Sequence, residues 1–566
     1  MQKQTETIAM DPNAGNRPRC GNANALRNAL WLPAMVFYVP CAACFVNAPL
    51  LTGRAFAVLA AWLGLWLLPY LVFKRKFLYR VAVALLFADS LLNLAHWLVL
   101  KAPVNVSSLF VMLNTNAQEA AEFVSLKGSG RWLLLLPYLG LAWGAFAHVP
   151  PPPAKTWGKA FTAATAVFVL FFFGEAAFNA RLVRTALPDT EKALFSFSQE
   201  VKAYKRLKQR VFQKVPVEAD PSPCVSVLIM GESCNRSHMA LYGYARETSP
   251  RLRQRPDLLC FTNVVTPYSA TMNAVVNALS DGNTDRPIPA DSCIHALDVY
   301  RSAGYRTYWI SNQSPIGVWD NVVFNFARVA DRCLFVNRAS NSSMESTQTA
   351  SYDELLFPCL RKALWEDTAS RKWIVLHLMG SHSQYDRRYP SSYALFKGGK
   401  DKKQRVRDAY DNAICYNDFV VDSLISAVSA YAAAHPNVRA HVIYVSDHGE
   451  NVYDAGETAG HDFADTIPYA NVEIPMLLWL SPFDIRSDTA FVRRLKARLD
   501  WPFMTDDLFH ALLDMDHIYT PVYQPGRSLF HSDYRKERTR RLADGREYRG
   551  KAATTVYNTI NNAGTR

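Results

Sequence analysis

VSVLIMGE, residues 225–232, and VIYVSDH, residues 442–448, are the two stretches that decide the fold of this chain. Each is an apolar run of strand length that ends in an acidic residue or a histidine. Such runs are typical of strands that are buried on both faces of a parallel sheet. Because ligands bind at the carboxyl ends of the strands in open α/β sheets, we expect Glu232, Asp447 and His448 to lie close together. Two carboxylates and an imidazole can bind a divalent metal ion, and the nitrogen ligand favours zinc.

From residue 220 to its end, the chain alternates strand-like and helix-like patterns. The strand candidates are residues 225–230, 305–310, 373–378, 441–445 and 475–480. Helical patterns lie between them, at residues 294–303, 352–365 and 406–434. This alternation predicts an α/β domain with a largely parallel central sheet that is covered on both faces.

The first third of the chain is much more apolar than the rest. At 566 residues the chain is too long for one ordinary domain. A membrane span needs about 20 apolar residues, with about 17 as the lower limit. Five apolar runs approach that length, at residues 30–51, 56–73, 81–100, 132–148 and 160–178. A buried core helix has a similar composition, but five runs in succession favour a transmembrane bundle.

Basic residues indicate the orientation of this bundle. They lie before the first run and in the second and fourth loops, at Arg17, Arg19, Arg27, Lys74, Arg75, Lys76, Arg80, Lys155 and Lys159. The loop after the first run carries only Arg54. By the positive-inside rule the amino terminus is cytoplasmic, and an odd number of spans puts the rest of the chain on the far side. We expect a bundle at 1–180, a basic amphipathic linker at 181–219 and an outer domain at 220–566.

The formal net charge of +13 restricts the partners. We find no nucleic-acid-binding motif, and a basic protein also suits an anionic membrane surface or an anionic glycolipid. The basic segment at residues 532–566 is interpreted as a solvated surface tail.

Polar residues in the membrane part have two interpretations each. Asp89 and His96 share one face of the third span, and serve either a function or a structural contact inside the bundle. Thr115 and Glu119 lie one helical turn apart in the loop between the third and fourth spans. The Glu119 carboxylate there either meets the ammonium group of a lipid or belongs to a solvated surface helix.

Thr271 is the candidate nucleophile. Pro267 ends a short strand, and residues 270–279 have a helical pattern, which puts Thr271 in the first turn of a helix. Free backbone N–H groups at a helix start stabilise anionic oxygen, and a metal ion can activate a hydroxyl. The alternative is that Thr271 or Ser269 only caps the helix.

Histidines extend the candidate site. Among the thirteen in the chain, His377 and His382 lie at and just after a predicted strand, and His461 lies in a Gly- and Asp-rich loop. With His448 they provide enough groups for one tight metal site and a second, looser region. The remaining acids and histidines considered are expected to lie outside the metal set: Glu450, Asp462, His238, His295, His435, His510 and His517.

The ten cysteines do not define a disulfide framework. Seven belong to the outer domain, where an oxidising compartment permits disulfides, and an odd number leaves at least one thiol free or paired between molecules.

The chain resembles the membrane-anchored phosphoethanolamine transferases of Gram-negative bacteria, within the alkaline phosphatase/sulfatase superfamily. The resemblance covers nearly the whole chain, from the five spans and the TNAQEA loop onward. It rests on GESCNRSHMALYGYARETSPRL at residues 231–252, SATMNAV around Thr271, HLMGSHSQYDRRYP, SDHGE and PMLLWLS. The first and third of these blocks are specific in combination, whereas SDHGE alone indicates only the superfamily.

The resemblance implies a role for each matching residue. The positions that hold the catalytic zinc, with the threonine as nucleophile, are Glu232, Thr271, Asp447 and His448. The positions near the transferred group, which bind a second zinc or shuttle protons, are His377, His382 and His461. The membrane-loop positions that meet the lipid donor are Thr115 and Glu119.

The resemblance also implies an activity and a location. Phosphoethanolamine would pass from phosphatidylethanolamine to lipopolysaccharide, at a core sugar or at lipid A, through a covalent Thr271 intermediate. The protein would be a multi-pass inner-membrane protein with its catalytic domain in the periplasm, and a link to polymyxin resistance would depend on the acceptor. The other interpretations are a phosphoglycerol transferase, a phosphodiesterase that uses water, a sulfatase, or a membrane protein without activity that binds lipid or a partner through its outer domain.

Three positions depart from the family pattern. Pro267 and Asn277 stand where lipid A-modifying members often carry cysteines that flank the nucleophile, so that disulfide is absent. Val111 stands where a family asparagine precedes the membrane-loop threonine. These differences leave a sugar of the lipopolysaccharide core open as the acceptor. Sulfatases need a cysteine or serine in a C/S-x-P-x-R context, which SATMNAV lacks.

Overall fold

Two separate units of the chain are described by the structure, a computed structural model. The described residues are 21–44, 53–100, 104, 109, 130–151, 159–160, 162–167, 170, 190, 194, 210–313, 322–337, 351–456, 458–460 and 467–550. The helices up to residue 147 belong to the first unit, and all the strands belong to the second.

Apolar helices form the first unit: α1 (Gly21–Cys44), α2 (Gly53–Phe73), α3 (Lys76–Leu100) and α4 (Leu135–Ala147), the last preceded by a 3₁₀ turn (Gly130–Leu134). Of the described residues in this unit, Lys76–His96 is long and apolar enough to cross a membrane. Asn28–Val39, Trp62–Phe73 and Trp132–Ala147 are shorter apolar stretches. The fifth predicted run lies mostly outside the described residues, so the five-span bundle stays a prediction.

The helices of this unit pack around buried side chains, among them Met35, Leu94 and Tyr138. In α3, Asn93 Nδ2 donates to the Asp89 carboxylate at 3.0 Å. This is a polar contact of the kind that the structural interpretation of Asp89 predicts.

A seven-stranded sheet is the centre of the second unit. Its strands are β2 (Cys224–Gly231), β3 (Leu258–Phe261), β5 (Arg306–Ser311), β6 (Arg332–Phe335), β7 (Arg371–His377), β8 (Arg439–Ser446) and β11 (Met476–Leu480). Their order across the sheet is β3-β11-β8-β2-β7-β5-β6. Strands β8, β2, β7, β5 and β6 pair in parallel, whereas β11 is antiparallel to both of its neighbours. The sheet is therefore mixed, with the predicted parallel strands at its centre.

Short strands form three further pairs. They are β1 (Glu218–Ala219) with β13 (Ile518–Tyr519), β4 (Val264–Val265) with β12 (Phe503–Met504), and β9 (Asn451–Val452) with β10 (Ala459–Gly460). The β9–β10 hairpin follows the end of β8 directly.

Helices cover both faces of the sheet. They are α5 (Thr271–Ala278), α6 (Ala296–Ser302), α7 (Val322–Ala327), α8 (Leu356–Trp365), α9 (Lys402–Ala434), α10 (Pro482–Ser487), α11 (Thr489–Lys496) and α12 (Leu508–Met515). Side chains of β2 alternate between the two cores, with Leu228 on the face of α12 and Ile229 on the face of α9. Helix α9 is also long and apolar enough to cross a membrane, but 61% of its apolar window is buried, as in a core helix of a soluble domain.

The parallel register decides where the chemistry collects. Met230 in β2 pairs with His377 in β7, and Gly231 pairs with Ser446 in β8. These three neighbouring strands therefore end at the same level, and the residues that follow them meet at one edge of the sheet.

Candidate metal centre and active site

Two carboxylates and an imidazole lie together where β2 and β8 end. The ligand atoms of Glu232, Asp447 and His448 all lie within 4.8 Å of one another. His448 Nε2 is 3.2 Å from a Glu232 oxygen and 3.6 Å from Asp447 Oδ2. All three side chains are buried. The structure thus brings these sequence-predicted residues into one cluster with the composition of a zinc site.

Thr271 joins this cluster from the start of α5. Its hydroxyl donates to Glu232 Oε2 at 3.0 Å and lies 3.3 Å from His448 Nε2. The N-cap residue of α5 is Ala270, so Thr271 is not the cap of its helix. The hydroxyl is instead directed at the ligand cluster, where its oxygen can serve as a fourth ligand beside two carboxylates and an imidazole.

Hydrogen bonds from neighbouring groups hold the two carboxylates in place. Ser233 Oγ donates to Glu232 Oε1 at 2.8 Å, and Gln313 Nε2 donates to Glu232 Oε2 at 3.3 Å. The Ser233 amide donates to Asp447 Oδ1 at 3.2 Å. Asp447 Oδ2 is buried and has no hydrogen-bond partner among the described residues, which is the expected state of an oxygen meant for a cation. On these observations the residues fit a zinc ion.

The tautomer of His448 also suits metal binding. Its Nδ1 lies 2.8 Å from the carbonyl oxygen of Gly449, to which an Nδ1–H donates. A proton on Nδ1 leaves Nε2, which faces the carboxylates, as the ring nitrogen that would bind a cation. Second hydrogen bonds of this kind orient most histidines that bind metals.

The electrostatics of the cluster demand a positive charge. Burial works to lower the pKa of His448, but the Asp447 and Glu232 carboxylates outweigh it and raise this pKa to about 10. Burial and the neighbouring Glu232 charge raise the pKa of Asp447 to about 7. Burial works to raise the pKa of Glu232, yet His448 and His382 bring it well below its usual value. A bound divalent cation would replace the proton on His448 and release it.

His377 and His382 lie in different environments. His377 ends β7, is fully buried and has its Nδ1 at 3.2 Å from Ser311 Oγ. Burial lowers its pKa to about 4, so it is neutral at neutral pH. His382 is half-buried in the loop after β7, and its positive form lowers the pKa of Glu232, so it lies near the cluster. Of the two, His382 is the one with a surface that a substrate can reach.

Three predicted site residues lie outside the described residues: Thr115, Glu119 and His461. Their roles stay predictions. Glu450, which we expected near the surface or behind the ligands, is fully buried, and its carboxylate accepts a hydrogen bond from Tyr385 at 2.5 Å. Our sequence interpretation missed Ser233, which directly follows Glu232, and Gln313, which comes three residues after the predicted strand 305–310.

A second group of ligand-type residues lies at the opposite edge of the sheet. Cys224, His441 and Asp516 are buried and within 4.8 Å of one another. Asp516 accepts hydrogen bonds from Cys224, at 3.3 Å, and from Tyr300. Unlike Asp447, this carboxylate has both of its oxygens satisfied by neighbouring side chains. The seven cysteines described in this unit are all free thiols.

His238 has a structural partner on each ring nitrogen. Its Nδ1 lies 2.7 Å from an Asp411 oxygen and its Nε2 lies 3.0 Å from an Asp454 oxygen. Burial works to lower its pKa, but the hydrogen bonds to Asp411 and Asp454 raise it to about 9. The buried imidazolium thus joins α9 to the β9–β10 hairpin and lies outside the metal cluster.

Comparison with known proteins identifies related chains. A family model described as Sulfatase matches residues 225–516. Phosphoethanolamine transferase CptA of Salmonella typhimurium is 30% identical over 88% of this chain and 89% of its own length. The periplasmic domain of EptC from Escherichia coli, solved in complex with Zn, is 30% identical, with a TM-score of 0.53 over 62% of this chain and 97% of that domain. The integral membrane protein EptA of Neisseria meningitidis, at 20% identity, has the same fold with a TM-score of 0.64 over 89% of this chain and 98% of its own.

We predict that zinc binding stabilises the second unit. A ligand at a hundred times its Kd stabilises a folded protein by about 2.7 kcal/mol. Zinc should therefore raise the melting temperature of the purified protein, a chelator should reverse the change, and His448→Gln should abolish it. The surface variant His531→Gln is the control and should respond like wild type. Equal responses of the His448 and His531 variants would contradict the assignment.

A second prediction concerns His238 and pH. Its pKa is higher in the folded state than the usual value of about 6.5, so its contribution to stability is complete below about pH 6.5. That contribution, about 3 kcal/mol, should be lost as the pH rises through about 9. Urea denaturation should show this fall for wild type and a flatter profile for His238→Gln. The same pH profile in both proteins would contradict the assignment.

Proposed function

Because the chain belongs to the sulfatase family and, within it, to the phosphoethanolamine transferases, we propose that it transfers phosphoethanolamine from phosphatidylethanolamine to lipopolysaccharide. The transfer passes through a covalent intermediate on Thr271. The observation that carries this proposal is the position of the Thr271 hydroxyl, 3.0 Å from Glu232 and 3.3 Å from His448 at the start of a helix. A nucleophile next to its activating groups is the arrangement that group transfer by double displacement requires.

The proposed cofactor is one zinc ion held by Glu232, Thr271, Asp447 and His448. When bound, such an ion lowers the pKa of a coordinated hydroxyl and stabilises negative charge on phosphoryl oxygens. The fit of the cluster supports it, and so does the zinc complex of the related EptC domain. A second ion near His382 is part of the proposal only as a site that fills with substrate.

In the first half-reaction, Thr271 Oγ1 attacks the phosphorus of phosphatidylethanolamine. The bond from phosphorus to the diacylglycerol oxygen breaks, and phosphoethanolamine stays on Thr271. The hydroxyl proton leaves along the hydrogen bond to Glu232 Oε2. Backbone N–H groups in the first turn of α5 have no partner within the helix and can bind the phosphoryl oxygens. His382 protonates the diacylglycerol oxygen, because among the described residues it is the reachable histidine beside the cluster.

In the second half-reaction, an oxygen of the acceptor attacks the same phosphorus. The acceptor is a hydroxyl or a phosphate of lipopolysaccharide, on a core sugar or on lipid A. His382, now neutral, takes the proton of an attacking hydroxyl, and the bond from phosphorus to Thr271 Oγ1 breaks. Glu232 returns the proton to Thr271 Oγ1 along the same hydrogen bond, so the hydroxyl is restored and the site is ready for another donor.

The proposed donor is a membrane lipid, and the apolar helices of the first unit would place the protein in the membrane that contains it. We propose a multi-pass protein of the inner membrane, with the catalytic unit in the periplasm and Thr115 and Glu119 toward the lipid donor. The apolar helices α1 to α4 support this location. The names of the related structures support it further, since one is an integral membrane protein and another is a periplasmic domain.

We predict that purified protein converts phosphatidylethanolamine and lipopolysaccharide into diacylglycerol and phosphoethanolamine-modified lipopolysaccharide. Thr271→Ala should lower the rate by at least about a thousandfold, since removal of a nucleophile leaves only residual catalysis. The lipid products and the acceptor are measured by mass spectrometry, and a circular dichroism spectrum checks that the variant is folded.

The same assay separates the alternatives. Diacylglycerol release that does not depend on lipopolysaccharide would indicate a phosphodiesterase that uses water. Turnover with phosphatidylglycerol alone would indicate a phosphoglycerol transferase. Full activity of Thr271→Ala would contradict the nucleophile itself.

A further inference from the structure

The loop at residues 378–382 contacts the metal-binding Glu232 through its backbone. Ser381 donates its amide hydrogen to the Glu232 carbonyl oxygen at 3.0 Å. Gly380 has a φ of +52°, and a Cβ atom added there would lie 2.6 Å from that same oxygen. Only glycine allows this approach. The loop that carries His382 and the residue that binds the metal therefore cannot move independently.

A buried carboxylate holds the start of this loop. Asp353 accepts hydrogen bonds from the backbone amides of Met379 and Gly380, both at 2.8 Å, one on each oxygen. Asn312 Nδ2 donates to it as well, at 2.9 Å. Asp353 lies in the 3₁₀ turn Asp353–Leu355 that leads into α8, and 3% of it is exposed. These hydrogen bonds fix the Asp353 carboxylate at the start of α8, one of the helices that cover the sheet.

A guanidinium holds the other end of the loop. Arg388 Nε donates to the carbonyl oxygen of His382 at 3.2 Å, and its Nη2 donates to that of Ser383 at 2.7 Å. Burial lowers the pKa of Arg388 to about 10, so it remains charged at neutral pH. The loop is thus held by an anion on its N–H groups and by a cation on its C=O groups. Charge-assisted hydrogen bonds of this kind are about twice as strong as neutral ones.

We propose that Asp353 and Arg388 are positioning residues that clamp this loop, and through it set the metal affinity of Glu232 and the place of His382. The clamp rests on the proposed function, because it serves the same metal cluster. Partners behind the ligands tune metal sites strongly, and their loss typically costs 10- to 100-fold in affinity or activity. Both residues bond to backbone groups of the loop, so both act on the cluster through the loop.

The test uses the full-length protein and zinc as the probe, in competition with a chelator at pH 8. Asp353→Asn keeps the size of the side chain and removes one acceptor from the two loop amides. It should weaken zinc binding 10- to 100-fold. Arg388→Gln should do the same, Arg388→Lys should restore part of the loss, and the double variant should be less than additive because both residues hold one loop.

Asp418→Asn is the matched control. Asp418 is also fully buried and accepts two backbone amides, from Arg251 at 2.9 Å and Leu252 at 3.0 Å, but it lies away from the cluster. Burial raises its pKa to about 7, so at pH 8 it is ionised. Its variant should lose stability and keep the zinc affinity of wild type. Equal zinc affinity of Asp353→Asn and Asp418→Asn would overturn the clamp.

A second measurement does not need the metal. Hydrogen exchange at the Gly380 and Ser381 amides should be faster in Asp353→Asn than in wild type, and unchanged in Asp418→Asn. If wild type binds no zinc, the proposed function is contradicted. The exchange rates alone would then test whether Asp353 holds the loop. Unchanged exchange at both amides in Asp353→Asn would overturn the clamp.

Discussion

Two buried carboxylates, Glu232 and Asp447, lie side by side at the ends of neighbouring strands, and the rest of the site depends on this like-charge pair. Burial of two anions this close is unfavourable unless a cation or a proton lies between them. The folded protein meets that demand with His448, and a zinc ion would meet it with two charges instead of one. We therefore propose that the repulsion that would destabilise an ordinary core is the source of the zinc affinity of this site.

The scaffold around the pair is rigid and close-packed. Strand β2 lies between β7 and β8 in parallel register, so the three turns that carry site residues begin at one level. A Cβ atom at Gly449, just after His448, would lie 2.2 Å from the Ala470 carbonyl oxygen, so this turn is also pressed against its neighbour. Such contacts allow little relaxation, and they hold Glu232, Asp447 and His448 where Thr271 at the start of α5 can meet them.

Much of this arrangement can be predicted from the sequence, because site residues collect at the carboxyl ends of parallel strands. Apolar runs that end in acids or histidines indicated β2, β7 and β8, and the rule about carboxyl ends then brought Glu232, Asp447 and His448 together. The direction of β11 did not follow, because an apolar run has the same pattern whether its strand is parallel or antiparallel. Gln313 follows β5 and obeys the strand-end rule, but an amide has no sequence pattern that marks it as a hydrogen-bond partner of Glu232.

Contacts between residues that are distant in the sequence could not be predicted from it. Asp353 precedes a helix and resembles any acid at a helix start, and only the folded chain shows its oxygens on the Met379 and Gly380 amides. The burial of His377 likewise depends on packing against β5. Motifs therefore indicated the candidate site residues, whereas the residues that hold them in place appeared only with the structure.

The most direct test of the account is the intact mass of the purified protein after incubation with phosphatidylethanolamine and without acceptor. The account predicts that wild type gains the mass of one phosphoethanolamine group and that Thr271→Ala gains none. Subsequent addition of lipopolysaccharide should remove the adduct. An adduct of equal amount on both proteins would contradict Thr271 as the nucleophile, and no adduct on zinc-loaded wild type that still transfers the group would contradict the covalent mechanism.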